Sequence, residues 1–195
     1  MADETPDAQV EELLGLLGAH VGEPGELYSL TYDGITVVDL GEIEDADEDE
    51  PPWRVLCPPA TEGTVDEAET SLGFPLPPLL RSVYTRIGNG GLALRLLGLE
   101  GGQTGGDLFL GLSAVEIYRE LERWRRDGRV PYLPERLLPL NDDLGCGMVD
   151  YVDCRTPEGK IWRTDSGRLV ERQPTLLAYL REAIEGYRSS VKGSG

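Results

Sequence analysis

A single histidine, His20, serves the whole 195-residue chain. Nucleophilic catalysis needs a Ser, Thr or Cys activated by a neighbouring base, and no such pairing is legible. Cys57, Cys146 and Cys154 show no zinc-binding spacing, and their odd number fits free thiols rather than a disulfide framework. Cys146 follows Gly145 with no histidine near it in sequence, so it reads as a turn or buried residue. No stretch of about 18 residues is continuously apolar, which argues against a membrane-spanning helix. The opening MADETPDAQVEE is acidic and lacks the basic-then-apolar order of a signal peptide. The expected compartment is the cytoplasm.

Basic side chains are nearly missing from the first third. Residues 1–60 hold 16 acidic groups and one basic group, Arg54, for a net charge of −15, while residues 61–195 sum to only −3. The densest run is EIEDADEDE, with Glu42, Glu44, Asp45, Asp47, Glu48, Asp49 and Glu50 crowded into nine positions. Such a field repels nucleic acid and anionic lipid. It attracts a basic partner and speeds the encounter at low salt. The plainer reading of the same run is a solubilising loop. The arginines of ELERWRRDG, Arg123, Arg125 and Arg126 with Arg119 ahead of them, form only a local positive patch on a strongly acidic chain. No nucleic-acid partner is expected.

Plentiful glycine (25) and proline (14) favour many turns over a helical bundle. Val10, Leu13, Leu14 and Leu17 recur at helical spacing, with Asp7 as a candidate cap. Two strands are expected near 27–32 and 35–40, joined at Asp33–Gly34, and a third at WRVLC, 53–57. Thr64 and Glu67 have capping-box spacing, which predicts a helix over 65–72 ended by Gly73. Pro77 or Pro78 opens the next helix, whose apolar residues are Leu79, Leu80, Val83, Tyr84 and Ile87. Gly88 or Asn89 is expected to take its positive-φ exit, and LALRLLGL (92–99) to follow as a strand. Ser113 and Glu116 cap a helix carrying Val115, Ile117, Tyr118, Leu121 and Trp124. RLLPL, MVDYVDC and KIWRT read as three short strands, and Thr175 caps a last helix. Without regular βαβ alternation, the order fits an α+β fold.

Gly-rich turns do not rescue a catalytic reading. GNGG and GGQTGG lack the lysine and the strand–glycine–helix order of a phosphate loop. GNGG also follows the carbonyl end of a helix, where anions are disfavoured. Gly73, Asn89 and Gly90 are therefore expected to be structural corners. Asp142, Asp143, Asp150 and Asp153 could in principle gather around a hard cation. Their spacing is not that of an EF-hand, and on one strand Asp150 and Asp153 point to opposite faces. They read as a hydrogen-bonding acidic turn, with no metal and no cofactor.

Several of these pieces together resemble the SMI1/KNR4 family, also called the SUKH superfamily. They are Glu67 and Glu69, Leu72–Gly73, Leu76–Pro77, Tyr84 and Asn89–Gly90. Leu138–Pro139, Asp142 and Asp143, Gly147 and Asp153 follow in the same order. The resemblance spans roughly 61–188. It implies an α+β fold with a mixed, mainly antiparallel sheet flanked by helices. It divides the chain into an acidic extension (1–60) packed on the main domain, an SMI1/KNR4-like domain (61–190) and a flexible tail (191–195). It also implies a non-catalytic protein-binding domain. Many bacterial members are immunity proteins that bind a secreted toxin; others resemble intracellular scaffolds or regulators. The expected partner is a protein, a basic toxin domain such as a nuclease, or for a scaffold an endogenous one. Glu42 to Glu50 would steer it, and an exposed aromatic such as Trp53 would add affinity. The aromatic pool also includes Trp124, Trp162, Tyr32, Tyr132 and Tyr151. Oligomeric state is left open.

Overall fold

In a computed structural model, the described residues are 5–21, 28–32, 35–39, 57, 59–91, 94–99, 112–141 and 148–192. The element order is α1 (Pro6–Val21), β1 (Tyr28–Tyr32), β2 (Ile35–Asp39), α2 (Glu62–Leu72), α3 (Pro78–Arg86), α4 (Ala114–Arg126), β3 (Leu137–Pro139), β4 (Asp150–Asp153), β5 (Ile161–Asp165), β6 (Arg168–Gln173) and α5 (Leu176–Lys192). The architecture is α+β. Strands β3-β4-β5-β6 form one antiparallel sheet in sequence order, and β1 and β2 pair as a separate antiparallel ribbon.

Local chemistry sets the helix ends. Thr5, not Asp7, caps α1: its hydroxyl accepts the Ala8 N–H. Asp7 sits in the first turn, where a carboxylate suits the helix dipole, and reaches Arg86 at 2.9 Å. Helix α2 starts three residues before the expected position, because Thr61 accepts the Thr64 N–H at 3.1 Å and so performs the capping assigned to Thr64. Gly73 closes it in the left-handed region, at φ 79°. Glu69 then holds the following corner from both sides. It accepts the Leu76 N–H at 2.8 Å and binds Arg81 of α3 at 2.8 Å.

The exit of α3 differs from expectation. Positive φ falls on Gly90 (100°) and Gly91 (128°), not on Gly88 or Asn89. A Cβ on Gly90 would lie 2.8 Å from the Gly98 nitrogen, so the corner is closed by backbone meeting backbone. Asn89 is buried, and its carboxamide oxygen accepts the Leu99 N–H at 2.8 Å. The stretch after it is not the expected strand. Its described part turns at Leu94–Arg95, with Arg95 at φ 49°, and only Gly91 and Leu96 make a lone bridge. Leu94, Leu96, Leu97 and Leu99 are nevertheless all buried. Strand β6 is the opposite case, a strand that no apolar alternation announces. Ser166 (φ 50°) and Gly167 (φ 76°) make the two-residue turn that folds it back on β5.

Cross-strand register sorts the sheet into two faces. Leu138, Val152 and Ile161 stand opposite one another on one face; Pro139, Tyr151 and Trp162 do so on the other. The first set belongs to the main core, together with side chains of α1, α2, α3, α5 and the first turns of α4. Helix α1 joins it through Val10, Leu13 and Leu17, each worth roughly 1.5–3 kcal/mol when fully buried. Arg86 of α3 binds Asp7 and Glu11, and Arg181 of α5 binds Glu12. The second face carries a smaller cluster of Leu133, Leu137, Val149 and Tyr151.

Candidate functional site

Among the described residues the second, outer face of the sheet is only partly covered, and the gap is a cleft of about 150 Å³. One wall is one side of α4, from Ile117 near its start, which also joins the main core, through Leu121 to Trp124. Helix α4 reaches this position because its first part is fixed elsewhere. A full capping box joins Ser113 and Glu116, and Tyr118 packs edge-on against Phe74 with ring centroids 5.3 Å apart. The chain leaving the helix turns at Gly128 (φ 72°) and supplies Val130, Tyr132 and Leu133 as the second wall. The floor is the sheet itself, through Pro139, Val149, Tyr151 and Thr164. Trp162 and Leu169 pack against the same small cluster and stay half-buried. Tyr132, at the mouth, is 41% exposed.

Polar groups around the cleft are held by one another. The Thr164 hydroxyl accepts the Val149 N–H at 3.1 Å and donates to the Val149 carbonyl. Asn141 donates to Asp150 at 3.0 Å and to the Tyr179 hydroxyl at 2.9 Å. On α4, Arg125 binds Glu122 at 2.7 Å and Glu135 at 3.1 Å, and Arg123 binds Glu120 at 2.8 Å. The Arg125 hydrogen bond, against some opposing burial, holds Glu122 below the usual carboxylate range. Burial pushes the Tyr118 phenol up to about 12, so it stays protonated. Farther along the outer face, burial pulls the Asp153 carboxyl upward. The Arg155 guanidinium, bound at 2.6 and 2.7 Å, outweighs it, and the net shift is downward. The Trp162 indole N–H also points to Asp153, at 3.4 Å, and Lys160 lies 5.5 Å above the Trp162 ring. The surface suits contact with another macromolecule: an aromatic, apolar centre with a rim of both charge signs.

A family scan matches residues 59–182 to the SMI1 / KNR4 family (SUKH-1). The chain belongs to that family. The matched segment contains α2, α3, α4, the whole four-stranded sheet and the start of α5, so the cleft lies entirely within the SMI1/KNR4 part of the chain. The family includes immunity proteins, whose partners are protein toxins. No curated protein matches the chain.

Within this SMI1/KNR4 fold the residues singled out from sequence have different fates. Glu42, Glu44, Asp45, Asp47, Glu48, Asp49, Glu50 and Trp53 lie outside the described residues, as do Cys146, Asp142, Asp143, the Asp33–Gly34 turn, most of WRVLC and the GGQTGG segment. Asp150 and Asp153 face opposite sides of β4, and each has an arginine: Arg163 at 2.6 Å for Asp150 and Arg155 for Asp153. Among the described residues no group of three potential ligands could hold a metal ion. Cys57 and Cys154 are buried, and burial raises the Cys154 thiol to about 12, which leaves almost no thiolate there at neutral pH. Arg119, Arg123 and Arg125 of α4 are bound to Ser71, Glu120 and Glu122 rather than presented together. No described helix is long and apolar enough to cross a membrane.

Of the aromatic pool, the fold gathers Trp124, Tyr132, Tyr151 and Trp162 on one face; Tyr32 lies on β1. Sequence reasoning missed the aliphatic partners Val130, Leu133 and Val149. Their signal is faint: isolated apolar residues flanking Gly128 and the β3 and β4 segments, with no periodicity to mark them.

Proposed function

We propose that this protein is an immunity protein that binds a cognate toxin and neutralises it by occupancy, with no chemistry of its own. Membership of the SMI1/KNR4 family carries the reading. The outer-face cleft supports it, because an aromatic-lined, half-open hollow with a paired charged rim is the anatomy of a protein-binding patch. The finer reading is a basic toxin domain met in the cytoplasm. The acidic run from Glu42 to Glu50 would supply long-range attraction, since a field of seven carboxylates accelerates encounter with a positive surface.

Sequencing the flanking genes for a secreted, toxin-like protein, and co-expression with any such protein found, tests this directly. Restored growth of a toxin-producing host, with a complex that survives purification, is the expected result. Neutralising Glu42–Glu50 should slow association at low salt and matter little at high salt. Failure to protect the host, with only housekeeping proteins bound, would replace immunity by a scaffold role.

A further inference from the structure

We infer that the outer-face cleft receives one uncharged apolar side chain of the partner, an aromatic ring or a branched aliphatic, and that this insertion anchors the complex. The inference deepens the immunity reading by naming what the toxin must present. Size is the first argument. A cavity of about 150 Å³ lined by aliphatic and aromatic side chains holds a benzene-sized ring. Wall chemistry is the second: Ile117, Leu121, Trp124, Val130, Leu133 and Val149 surround the space.

Saturation of the polar neighbours is the third. Thr164 exchanges hydrogen bonds with the Val149 backbone, and Asn141 exchanges them with Asp150 and donates to the Tyr179 hydroxyl. These groups ask nothing of an occupant, so a polar side chain placed beside them would lose its water without gaining a partner. Charge is the fourth. The nearest guanidiniums, Arg123 and Arg125, are already neutralised by Glu120, Glu122 and Glu135. Among the other described charged chain neighbours of lining residues, Glu116 is held in the capping box and Asp150 pairs with Arg163, while Arg129, Asp165 and Arg168 are exposed and of both signs. No charged side chain is among the described lining residues, so a carboxylate or ammonium entering the cleft would lose its water without an ion-pair partner there. An apolar group fits, and Tyr132 at the mouth closes over it as an aromatic rim.

The anchor and the acidic run then divide the work. The run controls how fast the partner arrives and is sensitive to salt; the cleft controls how long it stays and is not.

Two measurements on the full chain test this. Benzene titrated into protein with labelled methyl groups should shift the resonances of Leu121, Val130, Leu133 and Val149, and Val130→Phe, which fills the space, should abolish those shifts. Affinity for the cognate toxin should fall by about tenfold or more in both Val130→Phe and Tyr132→Ala, with the salt dependence of wild type retained. Tyr132 is exposed at the mouth, so Tyr132→Ala separates loss of binding from loss of folding. Benzene shifts spread evenly over the protein, or wild-type affinity in a folded Val130→Phe variant, would overturn the inference. If the wild-type chain binds no toxin, the immunity reading alone fails, and the benzene titration decides the cleft.

Discussion

The two faces of the four-stranded sheet are built from the same strands yet have opposite characters. On the inner face Leu138, Val152 and Ile161 are fully buried beneath helices and merge with one large core. On the outer face the cross-strand neighbours Pro139, Tyr151 and Trp162 meet a smaller cluster, and Trp162 and Leu169 keep contact with solvent. Burial of apolar area is what stabilises a domain of this size, and the inner face supplies most of it. The outer face is left with aromatic surface that the described residues cover only in part. One sheet thus separates holding the fold from meeting a partner.

That contrast can be broken or sharpened by substitution. The largest effect is expected on the inner face from Ile161→Ala, at about 4 kcal/mol in urea unfolding, since the side chain is fully buried among well-packed neighbours. A loss under about 1 kcal/mol would mean that the two faces do not differ. Next comes Arg163→Met, which strands the Asp150 carboxylate in the interior. About 3 kcal/mol is expected, the low end for a broken buried pair, because Arg163 is 25% exposed.

A smaller, pH-dependent effect belongs to Asp153. Its carboxyl sits below the usual range in the folded state, so its contribution is complete above the ordinary Asp value of about 3.9. That contribution is lost as the pH falls from there through the depressed native value. Asp153→Asn should therefore flatten the acid side of a stability–pH curve and leave its shape at neutral pH unchanged. The smallest effect is expected from Tyr132→Ala, within about 0.5 kcal/mol of wild type in thermal or urea unfolding. A large destabilisation would make Tyr132 a structural residue and erase the distinction between the faces.

Sequence made the helices legible where side-chain oxygens or prolines mark their starts. Ser113 and Thr175 cap α4 and α5, Pro78 opens α3, and the apolar positions Leu79, Leu80, Val83, Tyr84 and Ile87 are all buried. It misled where two candidates of equal chemistry compete, as with Thr61 and Thr64. It also misled at 92–99, because a leucine-rich run is apolar whether it forms a strand or wraps irregularly around a core. Strand β6 was missed for the converse reason: Arg168, Glu171 and Arg172 interrupt any alternation, and pairing to β5 decides its structure. The cleft was legible only as a pool of aromatics. Register across β3, β4 and β5 and the seating of α4 put four of them together, and neither is written in local spacing.

The packing of α1 bears on how the protein can be cut. The inherited module ends at residue 182, but Ala183 and Ile184 beyond it are buried, and Val10, Leu13 and Leu17 fill the interior from far upstream. A fragment trimmed to 59–182 would open holes at both margins and part Arg86 and Arg181 from their acidic partners on α1. The stretch matched by the family is shorter than the stretch packed into the one core. A fragment meant for crystallisation or for binding assays should therefore keep residues 5–192.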